Sequence, residues 1–185
     1  MRASAFPWLE PFDDSPAELY LKDRHNRYLW LNRQAARVAG VDRDAVIGRS
    51  PTELFPAAAD TSPITATVVE ERRAVEQMRS YAIDGVSRWF DVRHTPVPPE
   101  RTAGHGWCVL VHAVDVTAQV QLAALNALVG LREREPRPIA DEAQTVTFVR
   151  LLLHGAGVAD LCAALDLNVD EATGRLAALA GTPLR

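Results

Sequence analysis

The sequence predicts an α+β fold of five strands and several short helices, followed by a separate all-α segment of three helices. Three observations carry this expectation. Residues 20–31 read as two short strands around a polar turn, running straight into a helix cap. Asp84-Gly85 stands between two strand-like runs, a strong hairpin signal. Beyond Thr117, strand patterns give way to helix formers with apolar periodicity.

The elements follow in order. Residues 20–23 and 28–31 are apolar and aromatic, and Arg24-His25-Asn26-Arg27 between them is turn-prone. Asn32 stands where a helix cap is wanted, and Ala35, Ala36, Val38 and Ala39 supply a small apolar face. Residues 41–48 read as a turn and a short helix ending at Gly48. Ser50 can cap the next turn, with Pro51 at its first position and Glu53 reaching back to the cap amide. Pro56 stops that turn. A longer helix is expected over 64–76, a strand over 78–83, a tight turn at Asp84-Gly85 and a partner strand over 86–97. A loop over 98–106 leads to a final strand, 107–114, and then Asp115-Val116-Thr117.

Taken together, these motifs resemble the PAS domain. The strand–turn–strand at 20–31 with Asn32 and Gly40 is similar to its opening signature, the stretch ending at Gly48 to its turn-helix, and Asp115-Val116-Thr117 to its Asp-x-Thr exit motif. The resemblance covers about residues 15–118 and leaves 1–14 as an N-terminal extension. It implies a five-stranded antiparallel sheet flanked by short helices. It also implies sensing or dimerisation rather than catalysis, with a ligand cavity in place of an active site.

Composition agrees with a folded protein. The 185 residues are 48% hydrophobic and 24% charged, with a formal net charge of −4. No apolar run is long enough to span a bilayer, and the N-terminus lacks the apolar stretch of a secretory signal. Cys108 and Cys162 lie in different predicted domains, so a disulfide framework is not expected and a reducing cytoplasm is the natural compartment. No Gly-x-Ser-x-Gly, phosphate-binding glycine loop or His-Glu-x-x-His occurs, so an enzyme is not expected.

Residues 118–134 form a predicted exit helix. Ala118, Leu122, Leu125 and Val129 repeat at four- and three-residue spacing, a stripe of about two heptads, widened by Leu128 and Leu131. Pairing with a second copy is the expectation; the alternative is a helix folded back on its own sheet. Charges at 132–135 precede Pro136 and Pro138, which end the helix and open a linker reaching residue 140.

Residues 141–185 hold three predicted helices, about 143–154, 158–165 and 169–180, broken by Gly155-Ala156-Gly157 and by Asp166-Leu167-Asn168. This is the outline of a helix-turn-helix. Its apolar positions resemble the DNA-binding domain of LuxR/GerE-type regulators over 142–175, with Gly155 on the family's glycine and Asp160-Leu161-Cys162 on its "eIA" triplet. The resemblance makes Asn168, Thr173 and Arg175 the DNA-contact candidates. The contact surface departs from the family: Asp170 and Thr173 stand where a basic or polar donor is usual, Glu171-Ala172 replaces Thr-Val, and Gly174 weakens the helix by about 1 kcal/mol. From residue 136 on, four arginines face six carboxylates, a net of −2, whereas DNA affinity rests on Lys and Arg neutralising phosphates.

For the ligand, strand parity groups Phe90, Val92 and His94 on one strand and Cys108, Leu110 and His112 on another. If both sets face the helices they converge in the cavity. With Tyr81, these are the cavity candidates; Trp89 and Trp107 complete the aromatic residues of the sheet. No spacing among the histidines is metal-like, so no metal is assigned. The predicted helices carry no cysteine for a flavin adduct, and 64–76 carries no histidine for the common heme arrangement, which leaves the cofactor unassigned. The expected function is a PAS-type transcriptional regulator, a homodimer whose small ligand or partner controls a helix-turn-helix output. The alternative is a sensory or scaffold protein acting through protein contacts alone.

Overall fold

The computed structural model describes residues 5–56, 60–83, 86–133 and 142–179. The Asp84-Gly85 turn and the proline linker lie outside the described residues. The chain divides into two compact units, Met1–Gln77 with Val92–Val114, and Met78–Asp91 with Asp115–Arg185.

In the first unit a 3-10 helix, Pro7–Phe12, precedes β1 (Glu18–Lys22) and β2 (Tyr28–Leu31). Their turn is pinned by Asp23, whose carboxylate accepts from the backbone of His25 at 2.8 Å and of Arg27 at 2.9 Å. Asn26 completes it in the left-handed region at φ 61, which asparagine tolerates better than most residues. Asn32 then joins strand to helix: its Oδ1 accepts from Leu19 and Ala35 backbone N–H groups, and its Nδ2 donates to the Ala17 carbonyl at 2.8 Å. α1 (Arg33–Ala39) ends at Gly40, whose φ of 64 allows Val41 to bond back to Ala36. α2 (Arg43–Val46) is capped by Asp42, and α3 (Pro51–Leu54) by the expected reciprocal pair of Ser50 and Glu53.

The longer helix, α4 (Ser62–Glu71), ends five residues before the sequence suggests. Arg72 adopts a left-handed conformation at φ 53, and β3 (Val75–Ile83) begins three residues early. The reason is the length of its partner: β4 (Val86–Val97) has twelve residues and can engage Val75–Gln77. Arg93 pairs with Glu76 at 3.2 Å, and His94 bonds Gln77 at 3.1 Å. The 98–106 loop contains a short 3-10 turn, Pro99–Arg101, before β5 (Cys108–Asp115).

The five strands form one antiparallel sheet in the order β2-β1-β5-β4-β3. On one face, Leu19, Leu21, Trp30, Val97 and Cys108 pack with Phe6 and Leu9. The N-terminal extension is therefore part of the core. It is tied down by Asp13, which bridges Arg33 and Arg43 at 3.1 Å each. On the other face of β1 and β2, Tyr28 and Leu31 pack with Ala35, Ala36 and Val46, joined by the half-buried Tyr20, Val41 and Leu54.

The second unit contains the distal half of the β3–β4 hairpin with α5 (Thr117–Glu133), α6 (Glu142–Leu153), α7 (Val158–Leu165) and α8 (Val169–Leu179). Trp89 of β4 is buried with Val120, Ala124, Phe148, Val149, Leu152, Leu161, Ala172 and Leu176. α5 starts where Asp115 accepts from the Thr117 backbone at 2.9 Å and hydroxyl at 2.6 Å, and Thr117 in turn accepts from the Trp89 N–H at 2.9 Å. Among the described residues, no helix is long and apolar enough to cross a membrane.

Candidate ligand site and C-terminal helices

The chemistry of the first unit concentrates on the helix-facing side of β1 and β2. Register pairs Tyr20 with Leu31 and Lys22 with Tyr28, so these four side chains share a face. Lys22 is only 5% exposed. Its Nζ donates to Asn26 Oδ1 at 3.3 Å and lies 4.8 Å from the Tyr28 ring centre and 6.0 Å from that of Tyr20. A carbonyl oxygen and two aromatic faces thus partly replace the water a buried ammonium loses.

Asn26, 1% exposed, is the hub of this cluster. Its Oδ1 also accepts from the hydroxyls of Thr61 at 3.2 Å and Thr65 at 3.1 Å, and its Nδ2 approaches Thr61 at 3.0 Å and Ser62 at 3.4 Å. The start of α4 is therefore bonded to the β1–β2 turn. Tyr20 completes the array by donating its hydroxyl to the buried carboxylate of Glu18. A buried ammonium, a carboxylate, an amide, hydroxyls and two aromatic rings converge in one place. Sequence reading missed this group, because Lys22 reads as the polar residue of an alternating strand and Asn26 as an ordinary turn residue.

The sequence-derived cavity residues divide. Val92 and His94 are buried on β4, on the face opposite Val97 by alternation, and His94 is held by Gln77. Cys108 and Leu110 are not part of that face. β5 is registered so that Leu110 pairs with Leu21 and His112 with Leu19, which turns this set toward the N-terminal extension. Cys108 is buried there, and burial pushes its thiol up to about 11. His112 is exposed. The β5 residues that share a face with Tyr20 and Lys22 are Val111 and Val109. Strand parity does not say which face each group takes. Phe90 and Tyr81 belong to the second unit, where their rings meet at 5.6 Å, with Phe90 buried and Tyr81 partly exposed. Among the described residues, no group of three or more His, Cys, Asp or Glu side chains is placed to hold a metal.

In the C-terminal helices the turns form as the sequence suggests. Gly155, at φ 81, ends α6, and Asp166, in the left-handed region at φ 54, ends α7. Of the three DNA-contact candidates, Asn168 and Thr173 bond within α8 and its cap, and Arg175 bonds across to α6. Asn168 caps α8 by accepting from the Glu171 N–H at 2.9 Å, and Glu171 returns a bond to the Asn168 N–H at 3.0 Å. Thr173 donates its hydroxyl back to Val169 and Asp170 carbonyls, and Arg175 reaches Gln144 at 3.4 Å.

A five-stranded antiparallel sheet flanked by short helices, with an exit helix leaving the central strand through an Asp-x-Thr joint, defines a sensor-type α+β domain. The chain belongs to the PAS-fold family, whose model matches residues 12–121, more than half of its length. No curated protein sequence matches it. Among solved structures it is similar to the PAS domain of BvgS from Bordetella pertussis, at 23% identity over 69% of this chain and 96% of that one, with a TM-score of 0.53. It is also similar to the Vibrio cholerae VqmA dimer solved without target DNA, described as a LuxR-type receptor, at 16% identity over 95% of this chain and 81% of that one, with a TM-score of 0.52. A VqmA–ligand–DNA complex aligns over 96% of this chain and 82% of that one, at 16% identity and a TM-score of 0.50. At these identities the likeness is one of fold.

Proposed function

We propose that the protein is a PAS-type signal-sensing transcriptional regulator, in which a small ligand or partner at the sensor domain controls a C-terminal LuxR-like helix-turn-helix. The observation that carries the sensing half is the Lys22–Asn26–Thr65 cluster. It gathers buried polar groups that a packed core has no need of, and it connects the β1–β2 turn to α4. The ligand this chemistry suits is polar, able to exchange its own donors and acceptors for the bonds these groups make to one another. Occupancy would shift the population of sheet and exit-helix conformations. Fold likeness to VqmA along nearly the whole chain supports a helix-turn-helix output.

Homodimerisation is part of the same reading. Val120 and Ala124 bury one side of α5, while Leu122 and Leu125 on another side are 58% and 49% exposed. These two belong to the heptad stripe, the spacing that suits a second copy of the helix.

One observation favours a second reading, output through protein contacts alone: the excess of carboxylates over arginines from residue 136 on. Native mass spectrometry of the purified chain at low salt, with and without a random DNA duplex, separates the two. A dimer that retains a small-molecule mass and shifts with DNA supports the regulator. An empty chain with no DNA complex supports protein contacts.

A further inference from the structure

The N-terminus of α7 is capped from outside its own helix. Helix N-terminal amides need acceptors, commonly supplied by the side chain of the N-cap residue. In α7 that residue is Gly157, which has none. Asp160 returns its carboxylate to the Gly157 N–H at 2.8 Å, as in a capping box. The acceptor running the other way comes from β3: the Val158 N–H donates to Ser80 Oγ at 2.9 Å, across 78 residues of chain.

Backbone conformation does not demand glycine at 157, since φ −89 and ψ −179 suit any residue. The neighbours do. A Cβ there would lie 3.1 Å from both Ser80 Oγ and Ser87 Oγ, one serine from each strand of the hairpin. The glycine thus fits the α7 N-terminus between two hydroxyls of β3 and β4.

Within the same unit the hairpin is held a second way. Trp89 is buried among α5, α6, α7 and α8 side chains, and its carbonyl accepts from the Val116 N–H at 2.8 Å. That anchor is extensive. The Ser80 contact is a single hydrogen bond, which shifts an equilibrium by only about two- to tenfold.

We propose that Ser80 forms a releasable latch on the α6–α7 turn, capping α7 in the closed state with Ser87 packed beside Gly157, and that a shift of β3 against β4 uncaps α7 and loosens α7–α8. An eight-residue helix has little stability of its own, so loss of its cap is felt along its length. The role as a regulatory device rests on reading these helices as an output domain. The latch itself is tested independently of that reading.

The experiment is amide hydrogen exchange on the full chain for wild type, Ser80→Ala, Gly157→Ala and the double variant. Each single change should speed exchange over 157–165 by about two- to tenfold, while β1 stays as in wild type and reports an intact fold. The double variant should exchange no faster than the faster single, because both changes open the same contact. Unchanged exchange in Ser80→Ala, or effects that multiply in the double variant, would overturn the latch. DNA retention is scored on the same samples. Coupled exchange with no DNA complex in any variant supports the latch and counts only against the regulator reading.

Discussion

Asn26 is the residue on which the buried polar cluster most depends, and replacing it measures how much that cluster contributes to the fold. Asn26→Gly keeps the left-handed turn conformation but deletes the side chain. The Lys22 ammonium and the Thr65 hydroxyl each lose an acceptor, at 3.3 Å and 3.1 Å, in surroundings that exclude water. A buried donor deprived of its acceptor costs about 1–3 kcal/mol. The Thr61 hydroxyl, next to Ser62, has more freedom to find another partner and is left out of the sum. The expected loss for the two donors is therefore about 2–6 kcal/mol. Asn26→Ala should lose roughly 1 kcal/mol more, because a Cβ penalises the left-handed region. Asn26→Asp keeps the acceptor beside the ammonium and should fall between wild type and the glycine variant. Equilibrium urea unfolding followed by circular dichroism reads these differences. A glycine variant within about 0.5 kcal/mol of wild type, well below the cost of one orphaned buried donor, would refute the view of Asn26 as the hub.

Leu122→Glu with Leu125→Glu should convert a dimer to monomer in sedimentation velocity without changing the far-ultraviolet spectrum, because both side chains are exposed while Val120 and Ala124 carry the packing of α5. Cys108 should resist iodoacetamide at pH 8 until the protein is unfolded: a thiol raised to about 11 and buried presents almost no accessible thiolate. Asp115 gives a pH signature. Burial raises its carboxyl, but the Thr117 hydroxyl and backbone bonds and the Arg88 guanidinium outweigh this and hold it below the ordinary carboxylate value of 3.8. A depressed folded value means that the carboxylate's contribution is fully present above about pH 4 and is lost as pH falls through the folded value, so the stability gap between wild type and Asp115→Asn should close on acidification. Asp170→Lys should raise non-specific DNA binding at low salt and steepen its salt slope by about one phosphate contact; an unchanged slope would count against α8 facing DNA.

Local chemistry made much of this fold legible. The bounds of β2, β4 and α7 follow from alternation, capping and glycine breaks, and the Ser50–Glu53 and Asp115–Thr117 motifs form the bonds their spacing suggests. What stayed hidden depends on partners distant in sequence. α4 gives way to β3 early because β4 is long enough to engage Val75–Gln77. Cys108 and Leu110 lie under Phe6 and Leu9 because β1 sets the register of β5, and a stretch that reads as an extension supplies that cover. The Lys22 cluster was invisible for a related reason. Each member has an adequate local role as strand, turn or helix-cap residue, and only the return of α4 to the β1–β2 turn brings them together.

The acidity of α8 bears on output less simply than a charge count suggests. Asp170 and Glu171 both sit in the first turn, where carboxylates stabilise the helix dipole. Glu171 also has a specific task, its reciprocal bond with Asn168, in a helix weakened by Gly174 and by the back-bonded Thr173. Its charge is thus explained by the stability of α8 whatever that helix binds. Replacing it would fray the helix and lower any binding activity for structural reasons. No hydrogen bond ties the Asp170 carboxylate to the cap in the same way, and its dipole contribution is the smaller, screened kind found at an exposed terminus. Asp170 is therefore where a preference against phosphate can be separated from a need for helix stability, and its substitution is more informative than any change at Glu171.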